Sequence, residues 1–174
     1  EQAWDGIIPS LIAGKYDAIM AGMSIKEKRE KVISFSRFYA ATPASLVVLK
    51  SSPLANFDAG EAALILDKVS PGKKAALAKM KTALAGKTIG VQTATTHEDF
   101  LRMYMAKDVT IKTYDTQENL DLDLEAGRVD AALASMSYWV PLLKKDTGKG
   151  MAMVGPQMTE GPFGRGVGVG IRKE

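Results

Sequence analysis

Ile7, Ile8, Leu11 and Ile12 recur at helical spacing, which predicts a short amphipathic helix over 4–13, with Pro9 tolerated in its first turns and Gly14 as its stop. A small-residue run at 18–21 reads as a strand. Ser24-Ile25-Lys26-Glu27 has capping-box spacing and predicts a helix to about residue 31. Strands are expected at 32–35 and 44–50, the second centred on Leu46-Val47-Val48-Leu49. Residues 51–86 change character: a Ser-Ser-Pro turn leads into a polar, alanine-rich stretch with one helix over 75–84, read as an insertion or hinge-side excursion. Beyond it the two periods alternate. Strands are expected at 87–91, 109–114, 130–134, 151–154 and 166–172, and helices at 97–105, 116–126 and 138–145. Strands alternating with helices predict an α/β protein with parallel sheets.

One segment occurs twice. Residues 11–24 align without a gap on residues 124–137, 113 positions later, with eight of fourteen identical and Lys15 opposite Arg128. Each copy reads as a helix end, a Gly stop, a tight turn holding Asp, a buried strand and a polar strand end. Two such units far apart suggest two similar lobes, each offering the strand edge at which open α/β sheets bind ligands. A plain structural repeat is the alternative, because a Gly C-cap followed by a short strand is common.

The chain has 174 residues and a formal charge of +3 from 23 basic and 20 acidic side chains, which argues against a nucleic-acid surface. Its densest basic stretch, 73–87, reads as a solvated helix face. There is no cysteine, which excludes disulfides, thiol catalysis and Cys-type zinc sites. No apolar run is long enough to span a membrane. The chain starts at Glu1 without Met and stops at Glu174 after an apolar strand, so both ends are expected to be cut from something longer.

Two constellations carry candidate chemistry. Ser24 would cap a helix whose free amides favour an anion, and Arg29, within two turns, would form a bidentate pair with a carboxylate. Alternatively Ser24 merely caps and Arg29 pairs with Glu30 or solvent. In the second, the loop after a strand, Gln92-Thr93-Ala94-Thr95-Thr96, opens a helix with Thr95 and Glu98 at capping-box spacing. Its amides would grip the same anion from the other side, or form an ordinary cap. The loop lacks the glycine spacing of a nucleotide fingerprint. Trp4 would stack on a ligand or pack in the core. The lone His97 suits a pocket rim better than a metal or a triad, and no metal or cofactor is expected. Met23 and Met136 read as core fillers, and Asp17 and Asp130 as turn residues.

These residues resemble the family 3 extracellular solute-binding proteins, the polar amino-acid receptors of ABC importers, and within them the lysine/arginine/ornithine and octopine/nopaline branch. The resemblance is carried by Trp4-Asp5-Gly6-Ile7-Ile8-Pro9, Lys15-Tyr16-Asp17-Ala18-Ile19, Met23-Ser24-Ile25 with Lys28-Arg29, Gly86 through Gln92, Ala126-Gly127-Arg128-Val129-Asp130-Ala131 and Gly166 through Lys173. It implies a periplasmic-binding-protein-like α/β fold of two lobes joined by crossover strands, with the first lobe incomplete. The boundaries expected are 1–47 for the first lobe, 48–86 for a crossover strand and insertion, 87–154 for the second lobe and 155–174 for the return crossover.

By position, the resemblance assigns Arg29 to a ligand α-carboxylate, with Ser24 and the Gly22 backbone, and Thr95 and Thr96 to the carboxylate or amino group. It puts Trp4 against the ligand side chain and Gln92 in the second-lobe wall, and Ala21, Met23 and Ser135 complete the expected ligand-binding set. Family members usually carry Asp at the position of Ser135, where it pairs with the ligand ammonium. Serine supplies no charge, which favours a substituted amine such as an opine.

The implied partners are an amino acid or opine and the permease subunits of an importer, in the periplasm. No nucleic acid is expected, and chains would pair through the open edge of the first lobe. The alternatives are a ligand-sensing domain of a receptor or regulator and a dehydratase on the same fold, although Ser, Thr, Gln and Arg offer no acid–base pair for turnover.

Overall fold

The computed structural model describes residues 3–68 and 70–173. The chain ends singled out above, Glu1, Gln2 and Glu174, lie outside the described residues. A 3-10 turn at Trp4–Gly6 leads into α1 (Ile7–Ile12), β1 (Ala18–Ile19), α2 (Glu27–Glu30) and β2 (Ile33–Phe35). Next come β3 (Ala44–Leu49), β4 (Ala63–Ile65), α3 (Pro71–Leu84), β5 (Thr88–Gln92), α4 (Thr96–Tyr104) and β6 (Thr110–Tyr114). The chain continues through α5 (Gln117–Glu125), β7 (Ala131–Ser135), α6 (Met136–Leu142), β8 (Met151–Thr159) and β9 (Gly170–Arg172). No helix of the described residues is long and apolar enough to cross a membrane.

The strands form two sheets. A three-stranded sheet of order β1-β9-β2 anchors the first lobe, with Leu11, Ile19, Met23 and Ile33 buried on it. A six-stranded sheet of order β4-β8-β3-β7-β5-β6 anchors the second. Helices cover both its faces: Met80, Leu84, Phe100 and Leu101 pack on one, Leu120, Leu124 and Trp139 on the other. Alternate β3 residues serve the two layers, Leu46 and Val48 in the first and Val47 in the second. This is why the strand reads as a continuous apolar run.

The sheets are not the parallel ones expected. β5 runs parallel to β6 and β7, but β3 is antiparallel to both β7 and β8. The small sheet is antiparallel throughout. The reason is topological: β3 arrives from the first lobe and β8 leads back to it, so the entering and leaving strands lie side by side in opposite directions. The 51–86 stretch, expected as an insertion or hinge-side excursion, contributes to the large sheet. β4 adds a parallel edge strand to β8, and α3, capped by Ser70, covers a sheet face. Residues 44–47, expected in the first lobe, lie in β3 of the large sheet, and β8 continues to Thr159 instead of ending near 154. Gly155 adopts φ +70°, and Gly155-Pro156 is absorbed where the β3–β8 register shifts.

Two segments, 36–43 and 160–169, connect the lobes, and they run together. The Val167 amide donates to the Ala40 carbonyl at 2.9 Å, and the Tyr39 amide donates to the Val167 carbonyl at 2.9 Å. Gly164, at φ +82°, lies so close to the first lobe that a Cβ would sit 2.5 Å from the Ile25 carbonyl oxygen.

Candidate functional site

The echoed segments fold alike. In α1 the Lys15 and Gly14 amides donate to the Ser10 and Leu11 carbonyls, and in α5 the Arg128 and Gly127 amides donate to Asp123 and Leu124. Both are Schellman closures, with Gly14 at φ +75° and Gly127 at φ +68°. The turn aspartates each tie down the neighbouring strand: Asp17 pairs with Arg172 of β9 at 2.6 Å, and Asp130 accepts from the Thr88 amide of β5 at 2.8 Å. Past each strand the chain reaches one cavity of about 360 Å³ between the lobes, a size ordinary for small-molecule sites. Ala21, Gly22 and Ser24 line it from the first copy, and Ala134, Ser135 and Ser137 from the second.

Arg29 and Trp4 also line the cavity from the first lobe. The guanidinium donates to the Ser24 carbonyl at 3.0 Å and, across the cleft, to the Ala94 carbonyl at 3.4 Å. It lies 5.8 Å from the centroid of the Trp4 ring, within cation–π range. Burial pushes its pKa down, opposed by the charge of Asp99. Lys26 and Asp99 form a second bridge between the lobes.

Ser24 does not cap a helix. α2 is four residues long with Lys26 at its N-cap. Ser24 instead forms a β-bridge with Val167, and the Ile25 amide donates to the Gly166 carbonyl at 2.8 Å. Docking the return segment holds residues 24–25 extended, which overrides the capping-box pattern. The Met23 side chain faces away from the cavity, wholly buried in the small-sheet core, while Met136 is only half-buried. The Gly22 amide is taken by the Tyr39 hydroxyl at 3.2 Å.

From the second lobe Gln92, Thr95, Thr96 and His97 line the cavity. Thr95 is the expected cap: its hydroxyl accepts from the Glu98 amide at 3.2 Å, and the Glu98 carboxylate accepts from the Ala94 amide at 2.7 Å. The first amides of α4 have no acceptor within the helix and, with the helix dipole, favour an anion beside them. His97 Nε2 is 3.3 Å from the Ser135 hydroxyl, and its ring sits against Phe163 with centroids 5.7 Å apart. Burial, then the charge of Arg29, lowers its pKa from 6.5 to about 4, so the imidazole is neutral at ordinary pH.

Thr42, Gln117 and Tyr138 complete the lining; residue spacing does not single them out. Gln117 opens α5 as an ordinary first-turn residue, and Tyr138 looks like helix surface. Among the described residues, no carboxylate lines the cavity, and no cluster of His, Cys, Asp and Glu could hold a metal ion.

Two α/β lobes on two adjacent connections, with a polar cavity between like strand ends, define the architecture of a bilobal binding protein. Residues 1–88 match the bacterial extracellular solute-binding proteins, family 3, and the chain belongs to that family. It is 40% identical to the octopine-binding periplasmic protein of Rhizobium meliloti over 99% of this chain and 58% of that protein. It is 34% identical to the L-arginine-binding protein of Pseudomonas aeruginosa over 99% and 59%. The chain thus spans less than two thirds of the length of these curated relatives. Among solved structures, the arginine-bound form of truncated ArgBP from T. maritima aligns with a TM-score of 0.77 and 25% identity, over 99% of this chain and 68% of that one.

Proposed function

We propose that this chain captures a polar amino acid or an amino-acid derivative such as an opine between its lobes, as the solute-binding component of an ABC importer that delivers ligand to membrane permease subunits. One observation carries the reading: Arg29 of the first lobe and the N-terminus of α4 in the second line the same cavity. A ligand carboxylate held by both would contact the two lobes at once and favour the closed state, a hinge motion on the paired connections. Relatives named for octopine and arginine support this ligand class. Relatives named as periplasmic support that compartment.

In this reading Arg29, with Thr95 and Thr96, holds the carboxylate, Trp4 flanks the side chain, and Ser24, Gln92 and Ser135 provide hydrogen bonds. Ser135 offers a ligand amine a hydroxyl and no charge, which favours a substituted amine whose own second carboxylate offsets its charge. We favour binding over turnover because a histidine titrating at about 4 is a weak base for the neighbouring Ser135 hydroxyl. In the described residues β1 and β2 pair with β9 alone, and the reading extends to chain pairing along those edges, measurable by light scattering.

Calorimetry with octopine and L-arginine tests the proposal. Arg29→Ala is expected to cost about 2–5 kcal/mol of affinity, since it leaves a carboxylate desolvated without its partner. Unchanged affinity in a folded Arg29→Ala variant removes Arg29 from the site.

A further inference from the structure

Behind the second-lobe wall of the cavity lies a carboxylate that touches two lining residues without lining the cavity itself. Asp121, half-buried on α5, accepts from Gln117 Nε2 at Oδ1, 3.2 Å away, and from the Tyr138 hydroxyl at Oδ2. An ionised carboxylate can only accept hydrogen bonds, so Tyr138 spends its one O–H on it and Gln117 one of its two amide N–H groups. Gln117 keeps its amide oxygen as an acceptor together with its second N–H, and Tyr138 is left with the lone pairs of its phenol oxygen alone. No described group donates to either. Gln92 likewise donates one amide N–H to the Asp115 carbonyl at 3.2 Å and keeps its oxygen and its second N–H.

The lining therefore combines donors, the Arg29 guanidinium and the opening amides of α4, with acceptors on α5 and α6 that are backed by a negative charge one side chain away.

Resting on the capture function proposed above, we infer that Gln117 and Tyr138 are specificity-determining residues, oriented by Asp121 to accept hydrogen bonds from a donor-rich, cationic end of the ligand such as a guanidinium. Asp121 acts as a positioning residue and a screened counter-charge. The arrangement selects ligands that carry a carboxylate and a multi-donor cation at opposite ends, and it disfavours chains ending in a methyl group. Two acceptors and a nearby anion would let a cavity without a lining carboxylate hold a positive charge.

The test compares L-arginine, L-citrulline and L-norleucine by calorimetry on the wild-type protein and on the Tyr138→Phe, Gln117→Leu and Asp121→Asn variants. Near-ultraviolet circular dichroism and thermal melting verify that each variant is folded. The wild type is expected to prefer arginine over norleucine, with citrulline between. Tyr138→Phe and Asp121→Asn are each expected to shrink the arginine-to-norleucine preference by about tenfold while norleucine affinity moves less than twofold. If the wild type binds arginine but folded variants keep the preference within twofold, the acceptor wall is refuted and the capture function stands. Equal binding of arginine and norleucine by the wild type refutes the acceptor wall as well. If Asp121→Asn alone fails to fold, Tyr138→Phe and Gln117→Leu decide. If none of the three probes nor octopine binds the wild type, the capture function falls, and the acceptor wall with it.

Discussion

His97 is the single histidine of the chain, so its titration can be followed without assignment ambiguity. Burial and the adjacent Arg29 charge hold its pKa at about 4, against 6.5 when unperturbed. Between those values the unfolded chain binds a proton that the native protein does not. Stability that is full above about pH 6.5 is therefore lost as the pH falls toward about 4, and this contribution is constant below that. The displacement corresponds to about 3 kcal/mol.

The direct assay is an NMR titration of the imidazole carbon-bound protons, expected to show a midpoint near 4. The energetic assay is urea unfolding of the wild type and of His97→Gln, which keeps a hydrogen-bonding side chain beside Ser135. From about pH 7 to pH 4.5 the wild type should lose roughly 2–3 kcal/mol more than the variant, the carboxylates common to both cancelling in the difference. A midpoint at the unperturbed 6.5, or equal losses in the two proteins, would show that neither burial nor Arg29 weighs on this ring as the geometry demands.

Asp99→Ala removes the ion pair with Lys26 that spans the cleft. Asp99 is 52% exposed, so screening limits the effect to about 0.5–1 kcal/mol, read as roughly two- to fivefold weaker ligand binding. The difference should vanish at about 1 M salt, where the Debye length is about 3 Å, and a salt-independent loss would contradict the assignment. Gly164→Ala sets a side chain at φ +82° and against the Ile25 carbonyl. It should cost about 1–3 kcal/mol of stability, measured by calorimetric melting, and an unchanged melting temperature would show the connection to be slack.

The features legible in the sequence were those written in local physics. Gly14 and Gly127 mark helix ends by the backbone conformation they permit, and Thr95 with Glu98 marks a cap; both survive folding unchanged. Arg29 was singled out by its place shortly after the Ser24 pattern, although the surrounding run of Lys and Glu offered it other partners; folding brings it to the cavity. What failed was decided at long range. The capping box at Ser24 yields to pairing with Val167, far along the chain, and the direction of β3 depends on which strand leaves the lobe beside it. Gln117 and Tyr138 stayed hidden because their orientation depends on Asp121, and nothing in their spacing announces that three-way contact. Met23 sits inside the echoed segment, but it is buried in the small-sheet core between neighbours that line the cavity.

The repeated strand end has a consequence for the symmetry of the cavity. Ala21, Gly22 and Ser24 are matched by Ala134, Ser135 and Ser137, so the duplicated walls are nearly degenerate and by themselves would accept a guest head-first or tail-first. What breaks the likeness lies outside the repeat: Arg29 on the first-lobe wall, and Gln117 with Tyr138, backed by Asp121, on the second. Redesign can therefore proceed on two separate dials: the duplicated residues set the shape of the walls, and Arg29 with Gln117 and Tyr138 sets their polarity.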